Sequence, residues 1–197
     1  MTQAAPGIRV RLCRSPELSA AELVELRSML DAAFAGDFSD TDFDHALGGV
    51  HVLVNDAEAG TGASIVGHAS VVERTLTVDD ADAVSVGEDL RIGYVEGVAV
   101  ADSHRRRGIG GLVMGCIERE IDASYEMGVL AASDAGMALY TSRGWTSWTG
   151  QLAARTDDGV QPTPGERGAI LIWRTARTND VDVARRLVVD QRPGSAW

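Results

Sequence analysis

The residues best suited to chemistry lie around position 100. An apolar run, Val95-Glu-Gly-Val-Ala-Val100, gives way to Ala-Asp-Ser-His-Arg105-Arg-Arg-Gly108-Ile-Gly110-Gly111. Ile109, Leu112, Val113, Cys116, Ile117 and Ile121 then recur at helical spacing, which gives the segment one apolar face. A glycine-rich turn that opens a helix presents backbone N–H groups and the positive end of the helix dipole, and its glycines let a ligand come close to the backbone. Three arginines beside the turn add charge suited to phosphate. The order of strand, basic turn and helix points to a cofactor that carries a pyrophosphate. It is not the P-loop pattern, which closes on Gly-Lys-Ser/Thr, nor the dinucleotide pattern Gly-x-Gly-x-x-Gly. A short glycine motif can also do no more than start a helix.

Glu96 stands inside the apolar run. A carboxylate there costs free energy unless it is paired, faces solvent at a strand end, or has work to do. Placed just ahead of a cofactor turn, it could take a proton from an ammonium before nucleophilic attack. Tyr140 lies in Ala138-Leu-Tyr140-Thr-Ser-Arg143-Gly144-Trp145, a helix that ends at a glycine and leads into a strand. By itself that position is equally suited to core packing. Asp37, Asp40, Asp42 and Asp44 crowd one loop. Its Asp-x-Asp-x-Asp beginning resembles a calcium loop, but His45 replaces the required glycine and His51 the bidentate glutamate. Ser39 or Asp40 fits a helix N-cap, and the remaining carboxylates are available to a polyamine. The four histidines are scattered and Cys13 and Cys116 are far apart, so no metal site is expected.

These residues need elements to hold them. Ile8–Leu12, Val50–Val54 and Ser64–Glu73 read as strands, and Ser19–Phe34 as a helix with Leu23, Leu26, Leu30 and Phe34 on one face. The segment 36–49 reads as an acidic loop enclosing a short helix, and 79–91 as an exposed polar connection. Ile92–Val100 is the central strand and Ile109–Tyr125 the helix after it. Gly128–Ala132 reads as a strand, Ala135–Arg143 as a helix, and Trp145–Ala153 as a strand. Thr156–Gly168, with Pro162 and Pro164, reads as a loop, and Ala169–Arg174 and Val183–Val189 as closing strands. Residues 1–197 are expected to form a single α/β domain, one mixed central β-sheet flanked by α-helices.

A chain of 197 residues can bury a substantial core, and 45% hydrophobic with 24% charged residues is a globular balance. No apolar run is long enough to span a membrane, and Met1-Thr-Gln-Ala-Ala-Pro lacks the basic start of a signal peptide, so a cytoplasmic protein with free, buried thiols is expected. The formal net charge of −11 argues against nucleic acid as a partner. It suits a cationic substrate, although acidic composition also serves solubility alone.

Arg105-x-x-Gly108-x-Gly110 after an apolar strand resembles the acetyl-CoA signature of the GNAT (Gcn5-related) N-acetyltransferases. Further blocks resemble one branch of them, the aminoglycoside 2'-N-acetyltransferases: Phe34-Ala-Gly-Asp37-Phe-Ser-Asp-Thr-Asp42-Phe, Ala46-Leu-Gly-Gly-Val-His51 and Gly93-Tyr-Val-Glu96-Gly-Val-Ala-Val100. Ser124-Tyr-Glu-Met-Gly128, Ala132-Ser-Asp134, Leu139-Tyr140-x-x-Arg143-Gly-Trp145 and the terminal Trp197 extend the match. The resemblance implies a GNAT fold and acetyl-CoA as co-substrate, with no metal. Backbone groups of Val98 and Val100 would hold the pantetheine arm. The turn with Arg105, Arg106, Gly108, Ile109 and Gly110 would hold the pyrophosphate.

Asp37, Asp42 and Glu96 would bind substrate ammonium groups, with Glu166 in a place where relatives use aspartate. Glu96 would also act as base through water, Tyr140 would protonate the departing thiolate, and the carboxylate of Trp197 would close the antibiotic site. Acetylation would then confer resistance, and relatives imply a homodimer. Three departures bear on the drug: Ala131 replaces a serine, Ser195 replaces the aspartate of Gly-Asp-x-Trp, and 150–192 carries little family pattern. Kasugamycin and the 2-deoxystreptamine drugs both remain as substrates. The rival readings are acetylation of another amine, such as a peptide N-terminus or a polyamine, and a CoA-binding sensor without catalysis. The acidic loop and terminal Trp speak against a peptide acetylase, and Glu96 with Tyr140 against the sensor.

Overall fold

The computed structural model describes residues 7–58, 64–80 and 87–197. The chain divides into two compact units, Met1–Val72 with Val95–Arg119 and Glu73–Tyr94 with Glu120–Trp197.

The first unit contains β1 (Ile8–Arg14), α1 (Ala20–Ala33), α2 (Asp40–Ala46), β2 (Val50–Asp56), the start of β3 (Ser64–Asp79), the end of β4 (Glu88–Val100) and most of α3 (Ile109–Ser124). β2 pairs antiparallel with β1 and with β3. α1 starts at Ser19, whose Oγ accepts from Glu22 N–H at 3.3 Å while the Glu22 carboxylate accepts from Ser19 N–H at 2.9 Å. This reciprocal cap satisfies two helix-end donors. Leu26 and Leu30 of α1 are fully buried with Leu53, Ile65 and Ala99. α3 lies directly on β3. A methyl group at Gly67 would come 2.7 Å from Ile109 Cγ2, so any side chain there would push the helix off the sheet.

The second unit holds the rest of β3 and β4, then β5 (Met127–Ala131), α4 (Asp134–Ser142), β6 (Thr146–Ser147), β7 (Leu152–Thr156), β8 (Gly159–Pro162), β9 (Ile170–Arg174) and β10 (Arg186–Asp190). β5 runs parallel to β4 at Ile92, Gly93 and Tyr94 and antiparallel to β9, while β10 is parallel to β7 and antiparallel to β3. The strand order β6-β9-β5-β4-β3-β10-β7-β8, with β2 and β1 continuing from β3, is a mixed sheet, as expected for an α/β fold. Its core includes Tyr94, Met127, Trp148, Ile172, Leu187 and Trp197.

Four segments differ from their sequence reading. Trp145–Ala153 is two strands, β6 and β7. The chain breaks between them because Thr149 and Gly150 both donate to the carbonyl of Val183, and Gly150 passes so close that a Cβ would sit 1.8 Å from the Arg185 oxygen. Thr156–Gly168 is more than a loop: β7 and β8 form a hairpin through Gly159, and Pro162 is tolerated because β8 is the edge strand, where a missing N–H breaks no ladder. The final strand is Arg186–Asp190, since Val183 is already engaged with the β6–β7 connection. In the segment 79–91, β4 begins at Glu88, and residues 81–86 lie outside the described ones. Its charged residues hide the strand from a periodicity test because they pair side chain to side chain: Thr77 with Asp89, and Arg186 with both oxygens of Asp79 at 2.7 Å.

His51 in β2 and His68 in β3 are fully buried and bonded to each other at 2.9 Å. Burial pulls His51 down to about 4; burial, and then the neighbouring His51, pull His68 down to about 3. Both values lie below the ~6.5 of an unfolded imidazole, so the unfolded chain takes up these protons first as the medium acidifies. Folding stability should therefore be greatest above about pH 6.5 and fall toward pH 4 by on the order of 3 kcal/mol for each histidine, ~6 kcal/mol for the pair. Denaturant titrations across that range check this. The double variant His51→Asn/His68→Asn should show a flatter profile, and an unchanged slope would contradict it.

Candidate active site

The turn after β4 is held at several points. Ala101 N–H donates to the Val66 carbonyl at 2.9 Å. His104 is buried, with Nε2 3.0 Å from Asp56 Oδ2 and Nδ1 2.8 Å from Ser103 Oγ. The Glu58 N–H and then His104 hold the Asp56 carboxyl below its usual range. The Arg105 guanidinium donates to the carbonyls of Val100 at 3.3 Å and Ala33 at 3.2 Å and pairs with Asp102 at 2.9 Å. Arg105, expected to meet phosphate, thus ties the turn to β4 and to the end of α1. Arg106, Arg107 and Gly108 are exposed.

Arg106 and Gly108 take left-handed backbone angles, φ +63° and φ +81°. No heavy atom comes within 4 Å of a Cβ built on Gly108, so the space over the turn is open, and α3 begins there with the bond from Leu112 N–H to Gly108 O at 3.0 Å. An open turn, two exposed guanidiniums and the N–H groups of Ile109 and Gly110 at the start of a 16-residue helix fit a pyrophosphate.

Upstream, Glu96 is partly buried and precedes Gly97, which has φ +57° within β4. The β5 register on β4 runs as far as Tyr94; beyond it Val98 and Val100 are partly buried and Ala99 enters the α1 core. A Cβ at Gly97 would lie 3.7 Å from Ala46, so the C-terminal end of α2 lies beside Gly97. Ser39 is the α2 N-cap. The Asp42 carboxylate accepts from Ser39 N–H at 2.9 Å and Ser39 Oγ at 2.8 Å, so this expected substrate ligand also caps the helix. Asp40 pairs with Arg27 at 2.7 Å, and Asp37 is exposed in the loop after α1.

In the second unit, Tyr140 sits near the end of α4. Its carbonyl accepts from Trp145 N–H at 3.2 Å, and Gly144 N–H reaches the Thr141 carbonyl at 3.1 Å, a pair of bonds that closes the helix and fixes Trp145 against it. The Tyr140 and Trp145 rings lie 6.3 Å apart. Burial pushes the phenol up to about 12, so it keeps its proton at neutral pH. Gly136 makes room for that ring: a Cβ there would come 2.7 Å from Tyr140 Cε2.

Trp197 is buried, and its indole donates to Thr163 Oγ1 at 2.8 Å, beside the one-turn 3-10 helix Pro164–Glu166. Ser195 is exposed, accepts from Trp197 N–H at 3.3 Å, and gives its carbonyl to Arg192. Arg74 and Arg192 lie 4.9 and 5.1 Å from the Tyr94 ring, and Arg74 holds the carbonyls of Asp190 and Ala196 at 2.7 Å. Ala131 is exposed at the end of β5.

The sequence reading missed Gly97, Gly136 and the buried His51 and His68. The signals available were a glycine directly after a carboxylate within a strand, and a glycine one helical turn before Tyr140. Among the described residues, no group of three or more His, Cys, Asp or Glu gathers as metal ligands, and no helix is long and apolar enough to cross a membrane.

Residues 20–145 match the Acetyltransferase (GNAT) family, and the chain belongs to it. Along its length it is 33% identical over 189 residues to an aminoglycoside 2'-N-acetyltransferase of Mycolicibacterium fortuitum, covering 95% of this chain and 91% of that one. Among solved structures, the Escherichia coli GNAT N-acetyltransferase YhbS in complex with CoA superposes with a TM-score of 0.63 at 16% identity, covering 98% of this chain and 97% of that one. Escherichia coli ElaA gives 0.56 at 17% identity, covering 84% of this chain and 98% of that one. At these identities the two structures speak to the fold alone.

Replacing Gly108 by Val would put a β-branched residue into a left-handed turn and a side chain into the open space above it. Calorimetry should show acetyl-CoA affinity lowered roughly tenfold or more in the folded variant. Undiminished affinity would place the pyrophosphate elsewhere.

Proposed function

We propose that this acetyltransferase moves the acetyl group of acetyl-CoA onto the 2'-amino group of an aminoglycoside. The observation that carries the reading is the 33% identity to the Mycolicibacterium fortuitum aminoglycoside enzyme over 189 residues, 95% of this chain. Acetyl-CoA supplies a thioester carbonyl open to attack by an amine. The chain supplies the rest. Ile109 and Gly110 N–H groups with Arg106 hold the pyrophosphate, and backbone groups of Val98 and Val100 beyond the last β5 partner hold the extended arm. Glu96 takes the proton from the substrate ammonium, directly or through one water, which frees the nitrogen lone pair. The amine attacks the thioester carbonyl to form the C–N bond; as the C–S bond breaks, Tyr140, protonated at neutral pH, gives its proton to the departing sulfur and is reprotonated by the second proton that the nitrogen loses. Asp37, Asp42 and Glu166 pair with the other ammonium groups, and Trp197 lines the antibiotic site. Acetylation removes one positive charge from the drug, and with it part of its hold on the ribosome, so the product is inactive and the host resistant.

Ser195 bears on which aminoglycoside this is. A 2-deoxystreptamine drug brings several ammonium groups, and each needs a carboxylate partner in a partly dehydrated site. A serine in place of aspartate removes one partner, which penalises a polycation more than a sparsely charged drug. Kasugamycin, with a 2'-amine, fewer ammonium groups and no deoxystreptamine ring, fits that composition. The test is kcat/KM from thiol release with kasugamycin, tobramycin, gentamicin, a peptide and a polyamine, for wild type and Ser195→Asp. Because Ser195 is exposed and Asp retains an acceptor for Trp197 N–H, the variant should fold normally. Wild type should favour kasugamycin, and Ser195→Asp should improve the deoxystreptamine drugs. A preference for tobramycin unaffected by Ser195→Asp contradicts the charge argument, and turnover confined to peptides or polyamines contradicts the aminoglycoside reading.

A further inference from the structure

The two buried histidines belong to a longer chain of hydrogen bonds. Gly48 N–H donates to Ser15 Oγ at 2.7 Å, and Ser15 Oγ lies 2.8 Å from His51 Nε2. His51 Nδ1 lies 2.9 Å from His68 Nε2, and His68 Nδ1 lies 2.7 Å from the carbonyl oxygen of Gly97. The last of these fixes the direction of all the others. A carbonyl only accepts, so His68 Nδ1 carries the hydrogen. Burial keeps both rings neutral, which leaves His68 Nε2 an acceptor and makes His51 Nδ1 the donor to it. His51 Nε2 is then an acceptor in turn and faces the Ser15 hydroxyl, whose hydrogen it shares with the Gly49 carbonyl at 3.2 Å. Each ring nitrogen has one assignment, and the chain points one way, from the turn after α2 to the strand beside Glu96.

Its end point is the peptide bond between Gly97 and Val98. Gly97 has φ +57° and no side chain, so nothing local prevents that peptide from rotating between two orientations. The bond from His68 selects one. Every peptide described is trans, so a Gly97 carbonyl held toward His68 turns the Val98 N–H the opposite way. The histidine also packs tightly there: a Cβ on Gly97 would lie 3.2 Å from His68 Cε1 and Nδ1.

We propose that His51 and His68 are positioning residues for acetyl transfer, and that their relay from the α2–β2 turn locks the Gly97–Val98 peptide and with it the direction of the Val98 N–H and the placement of Glu96. This rests on the acetyl-transfer reading above and adds two residues that touch neither substrate. Both ends of the relay matter to that reading: Gly48 closes the segment that carries the acidic α2, and Gly97 adjoins the base.

Two substitutions of the same chemical type separate positioning from packing. In His68→Asn the amide nitrogen can stand where Nδ1 stood and still donate to Gly97. In His68→Gln the amide reaches toward the Nε2 position, keeps contact with His51, fills the space better, and loses the bond to Gly97. Turnover with the best aminoglycoside should fall by roughly 10- to 100-fold in His68→Gln and by less than about fivefold in His68→Asn. Acetyl-CoA affinity by calorimetry, which senses the Val98 N–H on the extended arm, should weaken on the order of fivefold in His68→Gln and stay within about threefold of wild type in His68→Asn. Nitrogen-15 NMR of the wild-type protein without ligand, at pH 7, should show both imidazoles as Nδ1–H tautomers. Equal turnover in the two variants, or turnover that follows melting temperature instead of the donor, overturns the positioning role, as does an Nε2–H tautomer at either histidine. A wild type inert toward every aminoglycoside overturns the acetyl-transfer reading and the positioning role together, whereas an active wild type with indistinguishable variants overturns the positioning role alone.

Discussion

A single left-handed residue inside β4 is the constraint on which the rest of the site depends. At Gly97 the strand leaves regular geometry, with φ +57°, at a point where any other residue would cost on the order of 1–2 kcal/mol. Up to Tyr94 the strand is an ordinary parallel partner of β5, and its Ile92 and Tyr94 side chains belong to the core around Trp148 and Leu187. After Gly97 it runs past that partner, and Ala99 belongs to a different core, that of α1. One strand thus serves two sets of packing, and its irregular residue falls beside Glu96, where a regular ladder would leave the backbone nothing to offer a ligand. The buried hydrogen bond from His68 holds that irregularity.

The turn after β4 shows the same economy of anchors. Its conformation is set by buried or backbone-directed contacts: His104 with Asp56, Ala101 with Val66, and Arg105 with two carbonyls. These leave Arg106, Arg107 and Gly108, just ahead of α3, exposed. A turn fixed in this way presents its N–H groups without having to order them upon binding, so less binding free energy is lost to conformational entropy. The same division of labour applies in the acidic loop. Asp42 and Asp40 shape α2, through the cap on Ser39 and the pair with Arg27, while Asp37 stays exposed.

Much of this was legible in the sequence because it is local. The helical spacing of Leu26 and Leu30, the cap at Ser39, the basic turn into α3 and the glycine after Arg143 are each decided within a few residues. What escaped is non-local. The break between β6 and β7 depends on a carbonyl at Val183, more than 30 residues away in sequence. The strand β8 was hidden by Pro162, which only its edge position makes harmless. The end of β3 and the beginning of β4 were hidden by charges that pair across strands. Arg105 carries the family motif, yet its bonds to Val100 and Ala33 could not be seen without the fold. His51 and His68 sit 17 residues apart in unremarkable strands, and only the antiparallel register of β2 on β3 joins them into a chain that ends at Gly97.

The central claim is that Glu96, set beside the left-handed Gly97, deprotonates one particular amine for acetyl transfer. The most direct measurement is two-dimensional NMR of the product formed from acetyl-CoA and an accepted aminoglycoside, by wild type and by Glu96→Gln. The account predicts a single acetyl group on the 2'-nitrogen from wild type, and the same product formed far more slowly by Glu96→Gln, with the deficit greatest at low pH where the amine arrives protonated. Acetylation at another nitrogen, or equal rates from the two proteins, would contradict it.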